Sequence, residues 1–167
     1  MSMDSWTTNA YGVTENDINI IQMSNVWPIF MAIQMAADKN RLLQALHEFC
    51  EDEGVSKDEL SDENKDDFIS TYYEKTTNIY VPDARAVVLA DLVARNLHVN
   101  LNEIIIEKNE EGNMIVGIGL YYPWNMPEPL KNATQEDYEA AFINAYALFG
   151  IDGHSCCIEE QTMEDWG

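Results

Sequence analysis

Apolar positions along the chain recur at two periods, and the change between them divides it near Val99. Before that point they return every three to four residues, the spacing that lines one face of a helix. Leu42, Leu43, Ala45, Leu46 and Phe49 make one such stripe and predict a helix from Lys39 to Asp52. Asp38 is placed to cap it and Gly54 to close it. Two capping signals follow, Ser56 with Glu59 and Ser61 with Asn64, ahead of a helix carrying Phe68, Ile69, Tyr72 and Tyr73. Asp83 then precedes Ala84, Val87, Val88, Leu89, Leu92, Val93 and Leu97, the least polar stripe, which is expected to be central. Upstream, Thr14 with Asp17 marks a short helix holding Ile18, Ile20 and Ile21. Trp27-Pro28 is read as the start of another, because the missing proline N–H costs nothing in a first turn. Residues 1–13 read as a polar lead-in with Trp6 and Tyr11 as anchors.

From Val99 on, short β-branched runs replace the stripes. Residues 99–108 and 113–122, joined by Asn109-Glu110-Glu111-Gly112, predict a β-hairpin. Pro123, Pro127 and Pro129 end it. Thr134 with Asp137 caps a last helix ending at Gly150, with Tyr138, Ala141, Phe142, Ala145 and Leu148 inward. Residues 151–167 are an acidic tail with one further strand around Cys156–Ile158. The expected architecture is α+β: a mostly helical first two thirds packed on a small antiparallel sheet, then a C-terminal helix and short tail. One domain over 1–167 is expected, divisible at most into a helical part, 14–98, and an α/β part, 99–167.

Charge changes the picture more than composition does. The 167 residues include 30 Asp and Glu against 9 Lys and Arg, a net charge of -21. Hydrophobic residues make up 46%, too many for a disordered acidic segment. So few cations exclude a broad basic face for nucleic acid and disfavour an anionic membrane. No apolar run is long enough to span a bilayer, and residues 1–12 lack the basic start and apolar core of a secretory signal. The three cysteines, Cys50, Cys156 and Cys157, make no disulfide framework and read as reduced thiols. A cytoplasmic location is therefore expected.

The charge is uneven. Residues 48–67 hold ten acids against two lysines, a net of -8 and more than a third of the total. Residues 152–167 hold five acids and no base, whereas residues 68–100 balance. Massed like charge opposes folding by self-repulsion, and solubility asks for a net charge of only about 2–8 in magnitude. At four-residue spacing Asp58, Asp62 and Asp66 are expected to form a row along one helix face, with carboxylates about 6 Å apart. Glu59, Glu63 and Asp67 form a parallel row beside it. Two such rows imitate a strip of phosphates and attract Arg and Lys. Glu51, Asp52 and Glu53 extend the surface, and Glu159 and Glu160 offer a secondary patch. In charge and size the chain resembles acidic proteins that imitate DNA and block restriction, CRISPR or repair enzymes. No family motif accompanies that likeness. The plainer reading of 48–67 is a solvated helix face with a loop, as on proteins from salty habitats.

Signals for chemistry are weak. His47-Glu48-Phe49-Cys50 begins like a zinc-protease helix, but position 51 is Glu51 instead of the second histidine. His154, Cys156 and Cys157 lack a fourth zinc ligand nearby. Glu107 to Gly112 starts like a calcium loop and fails at Ile118, where a bidentate glutamate is required. Gly112, Gly117 and Gly119 lack the strand–turn–helix setting of a nucleotide loop. No cofactor or metal is expected. The aromatic, proline-stiffened stretch Tyr121 to Leu130, with Trp124 as its largest anchor, suits either an interface or a lid over the protein's own core. The expectation is a non-enzymatic binding protein that inhibits or masks a basic, nucleic-acid-handling partner. An immunity protein for a basic nuclease toxin is one alternative. A small enzyme with an acidic pocket for a cationic substrate is another.

Overall fold

The computed structural model describes residues 5–108, 113–120 and 126–166. Its order is β1 (Ser5–Thr14), α1 (Glu15–Asn19), α2 (Met23–Glu53), α3 (Asp62–Thr77), α4 (Ala84–Leu97), β2 (Ile104–Lys108), β3 (Met114–Gly119), α5 (Gln135–Leu148) and β4 (Glu159–Trp166). The fold is α+β with an antiparallel sheet in the order β2-β3-β1-β4.

Residues 5–13 are not a lead-in: β1 is an inner strand, paired with β3 through Ala10↔Gly119 to Thr14↔Ile115 and with β4 through Ser5↔Trp166 to Gly12↔Glu159. Tyr11 and Val13 face the helices, while Ala10 packs with Ile115 and Ile105 on the other side. Gly12 and Gly117 sit opposite each other in this ladder. A Cβ on Gly12 would lie 2.6 Å from the Gly117 Cα, and one on Gly117 would lie 2.8 Å from the Ala10 Cβ. Glycine is what lets these strands approach. The expected hairpin is present as β2 and β3, with Lys108 opposite Met114; its turn, 109–112, lies outside the described residues. The last strand begins at Glu159, not at Cys156, because Asp152 first caps a tight turn over Gly153–Ser155 and Cys157 N–H donates to Asp17.

Most helix ends follow their caps. Ser61 and Asn64 form a reciprocal capping box, as do Thr134 and Asp137. Asp83 accepts from Arg85 N–H at 2.8 Å. Thr14 stands at the start of α1 but makes no side-chain cap, and the Asp17 carboxylate accepts from Cys157 N–H instead of reaching back to Thr14. Pro28 is not in a first turn: α2 is already helical from Met23, with Gln22 carbonyl accepting from Asn25 and Val26. Asp38 leaves helical geometry (φ -157, ψ 88) and accepts from Arg41 N–H at 3.1 Å, so α2 is two helices end to end, as that residue's capping role predicts.

The core lies where α4 meets α2, α3, α5 and the sheet. Every α4 residue from Ala86 to Ala94 is buried, so the least polar stripe is the central helix. On α5, Leu148 is 58% exposed, contrary to its expected inward place; the stripe ends instead in Phe149, 6.5 Å from the Tyr146 ring. Within this core sits Asp91, which accepts from Tyr73 O–H at 2.6 Å and from Arg95 Nε–H at 3.0 Å. Those two bonds are what a buried carboxylate requires. Burial first, and then the Asp91 charge, pushes the Tyr73 phenol well up.

Candidate acidic binding surface

The acidic run is spread over three local structures. Glu51, Asp52 and Glu53 end α2; Asp58 and Glu59 lie in a single 3-10 turn, Lys57–Glu59; Asp62, Glu63, Asp66 and Asp67 occupy the first turns of α3. The turn exists because Ser56 takes Asp58 N–H instead of starting a helix. Leu60 is then extended and buried, plugging the core and separating the turn from α3. The two four-residue rows are therefore broken at Leu60: only Asp62 with Asp66, and Glu63 with Asp67, share a helix face. The physical reason is the apolar anchor in the middle of the run.

Asp66 has a different task from its neighbours. Its carboxylate accepts from Ala84 N–H at 3.1 Å and so holds the start of α4. Burial raises its pKa most, and Asp83 and Asp67 raise it further against the pull of the Ala84 bond and Arg85. The other acids of the run are exposed. The last turn of α2 carries no Lys or Arg, although Glu51, Asp52 and Glu53 there lie against the negative end of the helix dipole. The His47 ring Nε2 lies 2.9 Å from a Glu51 carboxylate oxygen. Lys65 leans over the Trp27 ring, 5.8 Å from its centre.

Two concavities flank this surface. One is an apolar groove of about 610 Å³ between the second half of α2 (Leu43, Leu46, His47, Cys50, Glu51) and the 54–57 loop with Val55. The other is a polar cleft of about 460 Å³ where Asp62, Glu63, Asp66 and Asp83 gather around Arg85. Arg85 is engaged there by Asp83 at 3.0 Å and by the Asn19 carbonyl at 3.1 Å. Among the described residues, no group of three or more His, Cys, Asp or Glu is placed to hold a metal ion.

Glu159 and Glu160 are exposed on β4, which pairs with β1 at one end of the strand order. They belong to a different part of the fold from α2 and α3. Trp124 lies outside the described residues, whereas Met126 and Leu130 from the same stretch pack on the core. The cysteines are all free, and the Cys156 thiol is pushed up to about 11 by burial and then by Asp17. Sequence reasoning missed the groove and the Asp91–Tyr73–Arg95 cluster. A signal for the cluster exists, since Asp91 interrupts the most apolar stripe with Arg95 four residues on. No helix among the described residues is long and apolar enough to cross a membrane. Compared with protein-family models, curated proteins and solved structures, the chain matches none.

Proposed function

We propose that this chain is a non-enzymatic binding protein that inhibits or masks a basic, nucleic-acid-handling protein through the 48–67 surface. The observation that carries the reading is the set of exposed carboxylates from Glu48 to Asp67, in excess over two lysines and with no basic residue in the last turn of α2, where the helix end penalises them. Charge kept against the helix dipole costs stability, on the order of 0.3–1 kcal/mol per residue at low salt. Retaining it is what attraction to a dense Lys/Arg face explains. With the rows broken at Leu60, imitation of DNA rests on charge density, not on helical spacing. Counter-defence by DNA mimicry and immunity against a nuclease toxin share this physics and differ in the partner.

The test measures binding of purified basic DNA-binding proteins, with duplex DNA as competitor, across a salt series. The wild type should bind at low salt, release as salt screens the contact, and compete with DNA. Asp52→Lys, Asp58→Lys and Glu59→Lys together should weaken binding at least tenfold with the fold intact. Binding that survives this change defeats the reading. A second reading, an enzyme for a cationic substrate, draws on the polar cleft and the raised Asp66 carboxyl. It predicts turnover of a cationic substrate that Asp66→Asn abolishes and the triple lysine variant retains.

A further inference from the structure

We infer that the groove between α2 and the 54–57 loop receives one apolar side chain of the basic partner, flanked in the partner by Lys or Arg. The inference rests on the binding reading above and narrows it: the partner is selected by an apolar anchor as well as by charge. The α2 wall is built by Leu43, Leu46, His47 and Cys50, residues at three- and four-residue spacing on one helix face. Leu46 and Cys50 close the floor and are buried, while Leu43 at the lip is 39% exposed. Val55 provides the opposite side. At about 610 Å³ the groove is in the size range of ligand sites and has room for one leucine, methionine or tryptophan side chain with the backbone that carries it.

Charge decides the occupant. Glu51 lines the groove, and Glu48, Asp52, Glu53, Asp58 and Glu59 lie beside it in sequence, against Lys57 as the one ammonium on the lining. The carbonyl end of α2 adds its own negative potential at the same place. An apolar pocket set in a stretch of chain with six acids against one lysine fits an apolar residue between cations. A second copy fits badly, because it would bring another chain of net charge -21 against these acids.

The experiment uses the full chain and two fluorescein-labelled synthetic peptides, rich in lysine and arginine and identical except for a central leucine or serine. Fluorescence anisotropy at low salt should give the leucine peptide at least about tenfold tighter binding, as expected for one buried apolar side chain. Leu43→Ser should erase most of that difference and leave the serine peptide's affinity unchanged. The triple lysine variant should weaken both peptides. Equal affinity of the two peptides for the wild type would overturn the groove inference and leave the charge reading standing. Binding of neither would overturn both. Concentration-dependent self-association that Leu43→Ser abolishes would place a second copy in the groove and also overturn the inference.

Discussion

Asp66 shows how one member of an acidic run can be structural. It is bonded to Ala84 N–H and half-buried beside Asp83 and Asp67, so its charge is penalised in the fold. Its folded pKa is raised above the ordinary 3.8, so the folded state holds the proton more tightly than the unfolded one. The stability this gives is present below the unfolded value and fades as pH rises through the raised value. Asp66→Asn keeps an acceptor for Ala84 N–H and removes the penalty. Its melting temperature should exceed the wild type's at pH 7 and match it near pH 3. Asp66→Ala removes the acceptor and should cost about 1 kcal/mol at pH 7 in urea unfolding. If both variants melt alike, the bond to Ala84 has no energetic role. Tyr73 makes a sharper case. Tyr73→Phe removes one of the two donors to buried Asp91 and should cost about 1–3 kcal/mol, read as a lower urea midpoint at unchanged slope. No loss of stability would mean that Asp91 finds another donor.

Gly12 and Gly117 govern the sheet as Asp91 governs the helices. Gly12→Ala would force a Cβ into Gly117 across the β1–β3 ladder and should cost at least about 1–3 kcal/mol in urea unfolding. Gly54→Ala meets no neighbour, so only its left-handed backbone (φ +68) opposes it, and its cost should be smaller. The same glycines explain why β1 escaped the sequence. A strand announces itself by alternating apolar residues, and β1 alternates Tyr11 and Val13 with Ala10 and Gly12, whose outward faces are small. β4 was misplaced for a related reason: its Glu-Glu-Gln-Thr start is polar on both faces, while Cys156–Ile158 looks more like a strand. The helices were readable because their caps are local, as Ser61 with Asn64 and Thr134 with Asp137 demonstrate. The acidic positions were readable too, but not their geometry. Leu60 is one apolar residue in a charged run, and only tertiary packing makes it a plug that breaks the rows.

The molecule as a whole carries a charge of -21, concentrated in one stretch and absent from another. Like charges at this density oppose the compact state, so added salt should raise the melting temperature by screening. The triple lysine variant should be at least as stable as the wild type at low salt, since it relieves repulsion and two of its positions lie outside helices α2 and α3. A surface kept only for solubility would show no penalty in binding when its charge is redistributed. The decisive measurement sets two triple variants against each other for affinity to a basic DNA-binding protein at low salt. One is Asp52→Lys, Asp58→Lys and Glu59→Lys; the other is Glu74→Lys, Glu128→Lys and Glu136→Lys, an equal change of charge at exposed positions elsewhere. A loss of at least tenfold in the first and little change in the second is the expected result. Equal losses in both would show that total charge, not the surface from Glu48 to Asp67, holds the partner.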